Sequence, residues 1–305
     1  MSFKRYKRIE PKDRTKALDG PEGYLPGDRV CTAVNAALAS GQPLLVTGEP
    51  GVGKTMLAHS VAWQLAQADA TWSKDVLEFI VRSDSQGRDA LYRFDHVRRM
   101  FDAVRQDERA EKPATYLELQ ALGKAISDNE RSHVVLIDEI DKAPRDFPND
   151  LLNELARWRF YIPEAERWVP EEVHKRRPFV LITSNEERDL PAPFLRRCVW
   201  LHIPMPSDAE LKAIVRTRLG PVAEDYVGKE SGKNGPALDT FAKLRQELAG
   251  RWVKPPSLTE LIAWVQVLIA DEEIPFAGVA RDKLKTQHFE MLVKSHADAE
   301  LLGLL

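Results

Sequence analysis

Two cysteines are all that the 305 residues contain, Cys31 and Cys198, and no CxxC pair exists. That scarcity excludes a zinc ribbon and a thioredoxin-like dithiol. The expectation is two reduced, mostly buried thiols in a reducing compartment. Missing too is any apolar run of about 18 residues, the least that spans a bilayer. The amino-terminal stretch MSFKRYKRIEPKDR has no apolar segment behind its charges, so it does not read as a signal peptide. These absences predict a cytoplasmic protein with no membrane association. Charge of one sign is also lacking. Lys and Arg number 44 against 47 Asp and Glu, a net charge of -3. Proteins that coat nucleic acid usually carry a strong basic excess, so nucleic acid is not expected as a general partner. A local basic groove remains compatible with these numbers. There is no internal repeat and no low-complexity tract.

What is present is the material of a large α/β domain with a smaller companion. Residues 1–22 form a polar, basic arm in which Lys4, Arg5, Lys7, Arg8, Lys12, Arg14 and Lys16 sit among turn formers. A solvated arm is the simplest reading. A helix is predicted near Val30–Ala39, ended by Gly41. Five short apolar runs follow, at Pro43–Thr47, Leu77–Val81, His133–Ile137, Phe179–Thr183 and Val199–Ile203. Each is short and rich in β-branched or aromatic residues, as buried strands are. Helix-patterned segments lie between them: Leu91, Phe94, Val97, Phe101 and Val104; then Leu117, Ala121, Leu122, Ala125 and Ile126; then Leu151, Leu152 and Leu155. Strands alternating with helices predict a doubly wound, five-stranded parallel sheet over residues 23–206. Beyond Pro204-Met205-Pro206 no strand candidate appears. Helical patterns at Leu211–Leu219 and Leu258–Ile269, separated by a polar loop from Gly228 to Pro236, predict a smaller all-helical domain over 207–305.

The segment Gly48-Glu49-Pro50-Gly51-Val52-Gly53-Lys54-Thr55-Met56 fits G-x-x-x-x-G-K-[ST]. Glycines let a backbone turn its N–H groups inward around phosphates, and the helix that follows adds its positive end. Lys54 would reach the β- and γ-phosphates of ATP, and the Thr55 hydroxyl would bind Mg²⁺. A strand before and a helix after are the context this motif requires. The apolar run from His133 ends in Asp138-Glu139. Parallel strands present ligands at their carboxyl ends, so both motifs converge on one sheet edge. Asp138 would hold Mg²⁺, mostly through water, and Glu139 would polarise the attacking water. The next strand ends Thr183-Ser184-Asn185, where Asn185 can donate to a phosphate oxygen or orient that water.

Phosphate loop, DEID, TSN and a helical domain behind them together resemble an AAA+ ATPase of the P-loop NTPase class. More narrowly, the chain resembles the MoxR family from roughly Tyr24 through Trp264. The stretch from Gly41 through Gly51 is similar to that family's phosphate-loop strand. The long insert Ser83–Asp128 stands where the family carries its helix-2 insert, and Trp158–Pro163 through Arg177 looks like its hairpin before sensor 1. The resemblance implies a ring, usually a hexamer, with ATP at subunit interfaces and an arginine that reaches the neighbour's γ-phosphate. Within Pro193-Phe-Leu-Arg196-Arg197-Cys198, Arg197 is the better match and Arg196 the second. It also implies a protein client, with a partner carrying a von Willebrand factor A domain. The leading function is therefore Mg²⁺-dependent ATP hydrolysis that drives remodelling or assembly of protein complexes. Alternatives are a DNA-acting AAA+ motor and an ATP-gated binding switch in a bacterial defence system.

The chain departs from the family pattern at the start of the sensor 2 helix. Lys254-Pro-Pro-Ser257-Leu-Thr-Glu260 carries no arginine there, and its Ser257 and Glu260 form an S-x-x-E capping box. Lys254 and Arg251 are the candidate substitutes. Arg93, Arg98 and Arg99 of the insert suit either a solvated face or a grip on a partner, and a solvated face explains them most simply. Residues 270–305 read as helices that complete the lid, with no assigned chemistry.

Overall fold

The computed structural model describes residues 6–7, 17–18, 20–172, 176–247, 250–272 and 288–302. Of the basic residues of the arm only Lys7 lies among the described residues, and much of the segment 270–305 lies outside them. Two compact units emerge. One draws on 26–47 and 54–202, with residues 6 and 7. The other draws on residues before 26, on 48–53 and on the chain from Ile203 onward.

In the first unit the strands are β1 (Leu44–Thr47), β2 (Trp72–Ile80), β3 (Tyr92–Phe94), β4 (Leu117–Leu119), β5 (Ser132–Asp138), β6 (Phe160–Ile162), β7 (Arg167–Val169), β8 (Phe179–Ser184) and β9 (Val199–His202). The helices are α1 (Asp28–Ser40), α2 (Lys54–Ala68), α3 (His96–Val104), α4 (Ala121–Ser127), α5 (Phe147–Arg157) and α6 (Ala192–Leu195). Five strands form one sheet in the order β2-β5-β8-β1-β9, and every pairing in it is parallel. This is the α/β fold with a five-stranded parallel sheet that the alternating pattern predicts. Strands β1, β5 and β8 carry unbroken apolar stretches because helices cover them; Leu44, Val46, Val134, Leu136, Leu181 and Ile182 are fully buried. Helix α1 stops where Gly41 takes a left-handed φ of 69°, and its N–H closes on the Ala37 carbonyl.

The insert between β2 and β5 differs from its predicted pattern. Leu91, Phe94, Val97, Phe101 and Val104 do not share one helix. Tyr92–Phe94 instead pairs antiparallel with Leu117–Leu119, which also takes Leu117 out of the helix expected to continue to Ile126. Asp95 then starts α3 by accepting the Arg98 N–H at 2.8 Å. The apolar periodicity of α3 faces solvent: Val97, Met100, Phe101 and Val104 are 56–77% exposed. Spacing alone does not distinguish an apolar face that is covered from one that is not. The hairpin expected before β8 is present as β6 and β7, with Tyr161 opposite Trp168. Arg99 donates to the Ala110 carbonyl, and the guanidinium groups of Arg98 and Arg99 lie over Tyr116 and Phe94, so both are held within the insert itself.

The second unit is helical among its described residues, with α7 (Asp208–Leu219), α8 (Glu224–Val227), α9 (Pro236–Glu247), α10 (Leu258–Ala270) and α11 (His296–Leu301). Helix α7 opens on a capping box in which Glu210 accepts from the Ser207 N–H at 2.8 Å. Helix α10 buries Leu258, Leu261, Trp264, Val265 and Leu268 against Phe241, Phe289 and Leu292. No helix among the described residues is long and apolar enough to cross a membrane.

Both cysteines are reduced and half-buried rather than enclosed. Loss of solvation nevertheless pushes the Cys198 thiol up to about 12. A raised pKa leaves little thiolate at pH 8, and thiolate is the reactive form. Timed iodoacetamide labelling read by peptide mass spectrometry should therefore modify Cys198 much more slowly in the native protein than after denaturation. Equal rates in the two states would overturn the raised pKa.

Candidate active site

Strand register decides which side chains meet. Thr47 at the end of β1 lies beside Ser184 at the end of β8, and Ile137 of β5 lies beside Ile182 of β8. The residues that follow all emerge at one edge of the sheet. Lys54, the first residue of α2, is only 6% exposed, and its Nζ donates to Asn185 Oδ1 at 2.7 Å. Loss of solvation holds its pKa below the ordinary lysine value, while the carboxylates of Asp141, Asp138, Glu186 and Glu139 pull the other way. The Asn185 amide extends toward Glu139, with Nδ2 at 3.5 Å from Oε1. One amide thus lies between an ammonium and a carboxylate, donating to one and accepting from the other.

Thr183 ties the acidic pair down. Its hydroxyl donates to Asp138 Oδ1 at 2.6 Å and accepts the Glu139 N–H at 2.9 Å. That second bond supports a strained residue. Glu139 has φ 60° and ψ 51°, a left-handed conformation that costs a non-glycine residue roughly 1–2 kcal/mol. On its other side Lys142 Nζ donates to Glu139 Oε2 at 2.6 Å, and this carboxylate pulls the Lys142 pKa up. The Thr55 hydroxyl lies 3.2 Å from Asp138 Oδ1 and donates to it.

The loop residues 48–53 belong to the second unit. Gly51 has φ 77°, and a Cβ there would stand 2.5 Å from Ser257 Oγ; a Cβ on Gly48 would collide with the Ile203 carbonyl. Both positions therefore require glycine. Glu49 and Pro50 are exposed, whereas Val52 is buried. Thr259 Oγ1 donates to the Gly51 carbonyl at 3.2 Å. Arg245 of α9 donates through Nη2 to Glu49 Oε2 at 2.8 Å and through Nη1 to the Pro256 carbonyl at 2.5 Å. Arg251 and Lys254, the two candidate substitutes, are exposed; the Lys254 backbone N–H is held by Asp298. Ser257 and Glu260 form the capping box read from the sequence, with the Ser257 N–H donating to Glu260 Oε2 at 2.6 Å. Arg196 and Arg197 follow α6, exposed and outside the network around Lys54.

The donor set at Thr55 and Asp138 is a hydroxyl and a carboxylate already in hydrogen-bond contact. Hard oxygen donors of this kind suit Mg²⁺, which keeps most of its waters and takes phosphate oxygens rather than an all-protein cage. Among the described residues no cluster of three His, Cys, Asp or Glu side chains offers such a cage. The residues thus fit a Mg²⁺–nucleotide complex.

Several residues of these networks were missed by sequence reasoning, among them Asp141, Lys142, Thr183 and Arg245. Asp141 and Lys142 lie in the run that follows the acidic pair, a carboxylate and an ammonium within one turn of Glu139. Thr183 was legible only as the end of a strand. Arg245 had no local signal, since its partner Glu49 is far away in sequence.

A family model described as an AAA domain matches residues 38–190, half of the chain. The match includes the phosphate loop, the acidic pair and Asn185. No curated protein matches the chain.

Thr183→Val keeps the shape but removes both hydrogen bonds and strands the Glu139 N–H. The loss of a buried partner typically costs about 1–3 kcal/mol. Urea denaturation followed by circular dichroism should show a loss of that order, and a change under about 0.5 kcal/mol would mean that the hydroxyl is not what holds Glu139 in place.

Proposed function

The chain belongs to the AAA-domain family, and from that premise we propose that it is a Mg²⁺-dependent ATPase whose turnover remodels or assembles protein complexes in the manner of MoxR proteins. The observation that carries the catalytic part is the Asn185 bridge between Lys54 and Glu139. The ammonium of Lys54 would offset the charge that develops on the γ-phosphate. The Glu139 carboxylate accepts from the attacking water, and Asn185 holds the two groups in register across the transfer. Thr55 and Asp138 are the side chains that would hold Mg²⁺, which would supply neutralisation of phosphate charge. Glu49, Pro50, Val52 and Met56 complete the phosphate-loop segment, whose glycines allow the backbone amides to turn inward.

The remodelling part rests on two further observations. Arg196 and Arg197 are exposed and outside the site, as expected of a group that acts on a neighbouring subunit in a ring, for which a hexamer is the family's usual form. The exposed apolar face of α3 suits a protein surface better than a nucleic-acid backbone, and so does a net charge of -3. A von Willebrand factor A partner fits the same reading through the MoxR resemblance.

Lys54→Ala and Glu139→Gln should each lower Mg²⁺-dependent phosphate release about 10²–10⁴-fold in a coupled assay. Turnover equal to the unsubstituted protein in either variant would overturn the ATPase. Mixing Glu139→Gln with Arg197→Ala protein should restore part of the activity, because some interfaces then combine an intact Glu139 with an intact Arg197. Absence of recovery, with Arg197→Ala alone inactive and both variants assembled, would remove the shared site.

A further inference from the structure

Asp141 is the most deeply buried carboxylate beside the site, and the reading above gives it no part. It sits in the 3₁₀ turn Ile140–Lys142 that follows Glu139, and it is 2% exposed. Its Oδ2 accepts two backbone N–H groups, from Asn185 and from Glu187, each at 3.0 Å. The intervening Glu186 N–H is taken by Ser184 Oγ at 3.0 Å. Three successive amides after β8 are thus satisfied by two side chains. The turn they enclose is strained, since Glu186 has φ 61°. A carboxylate that collects adjacent amide hydrogens in this way fixes a turn that the chain does not favour by itself.

The consequence falls on Asn185. Its backbone is held by Asp141, and its side chain spans from Lys54 at 2.7 Å to Glu139 at 3.5 Å. A side chain of two rotatable bonds reaches both only if its Cα is correctly placed. Asp141 Oδ1 meanwhile is buried with no hydrogen-bond partner among the described residues.

Resting on the ATPase reading, we propose that Asp141 is a positioning residue for hydrolysis: it holds the turn after β8 so that Asn185 bridges Lys54 and Glu139. Asp141 does not touch nucleotide. Its charge also reaches Lys54, so the neutral asparagine variant is what separates its hold on the turn from its field.

The test is a double-mutant cycle in the full chain, with kcat and KM for ATP measured beside thermal unfolding. Displacing a catalytic group by about 1 Å can cost on the order of 10²-fold, so Asp141→Ala should lower kcat by about that factor and change KM less than about threefold. The same loss should appear in Asn185→Ala. The double variant should be no worse than Asn185→Ala alone, because both changes remove one function. Asp141→Asn retains an oxygen that can accept both amides, so it should recover kcat at least tenfold over Asp141→Ala. A double variant far below Asn185→Ala, or wild-type kcat in Asp141→Ala, overturns the proposal. An asparagine variant as impaired as the alanine one also overturns it, because the effect would then belong to charge. If Asp141→Ala does not fold, Asp141→Glu, which keeps the charge but moves the accepting oxygen by one methylene, takes its place alone and paired with Asn185→Ala, with the same loss of kcat expected and wild-type kcat overturning the proposal. Turnover that ignores Lys54→Ala would instead sink the ATPase reading, and this inference with it; Lys54-dependent turnover indifferent to Asp141 sinks this inference only.

Discussion

One buried ammonium organises the first unit. Lys54 is almost fully covered, and its positive charge cannot be taken out of water without compensation. The compensation is Asn185 in direct contact, with Asp141, Asp138, Glu186 and Glu139 adding their fields. These partners come from the ends of β5 and β8 or from the residues after them. The sheet order that places β8 between β5 and β1 is therefore the order that lets one lysine reach them. Had β8 been an edge strand, Asn185 would not lie between the helix that begins at Lys54 and the acidic pair.

The backbone bears a cost for this arrangement at two matching places. Glu139 and Glu186 each follow a parallel strand closely, and each has a left-handed φ near 60°. Each is braced by a hydroxyl from β8: Thr183 receives the Glu139 N–H, and Ser184 receives the Glu186 N–H. Strain that persists only because surrounding groups over-determine it marks a site built before its ligand arrives. In the second unit a comparable bracing holds residues 48–53, where Arg245, Ser257 and Thr259 meet Glu49 and Gly51.

Much of this was legible in the sequence, for physical reasons. Buried parallel strands announce themselves as short apolar runs, and five such runs predict the sheet. Lys54, Thr55, Asp138, Glu139 and Asn185 could be picked out together because a glycine-rich loop before a helix and polar residues at strand ends are local patterns, and the fold brings their side chains into contact. The insert was not legible. Its apolar spacing fits a helix, yet Phe94 and Leu117 pair in a hairpin and the periodic face of α3 is exposed. Periodicity records which residues share a face and is silent on what covers it. Arg245 was hidden for a different reason: its contact with Glu49 is made by tertiary packing, and a helix propensity argument around residue 245 contains no trace of it. Position along the chain suggests Lys254 and Arg251, but it carries no information on which long side chain a packed helix turns toward the loop, and Arg245 is the one that meets Glu49.

Asp141 shows where the boundary between reading and missing lies. In the run Asp138-Glu139-Ile140-Asp141 the third carboxylate looks like part of a polar turn, and most acidic residues just past a strand are that. What separates it is burial combined with two amide donors from another strand's turn, neither of which has a sequence signature. A carboxylate costs several kcal/mol to bury even when partly satisfied, and this one is left with an unpartnered oxygen. Apolar residues would fill the same volume at lower cost, but they would leave the amides of Asn185 and Glu187 without acceptors. The burial of Asp141 is thus explained by the turn after β8, and that turn in turn by the reach of Asn185. The chain of dependence ends at the ammonium of Lys54, whose burial requires the amide that Asp141 holds in place.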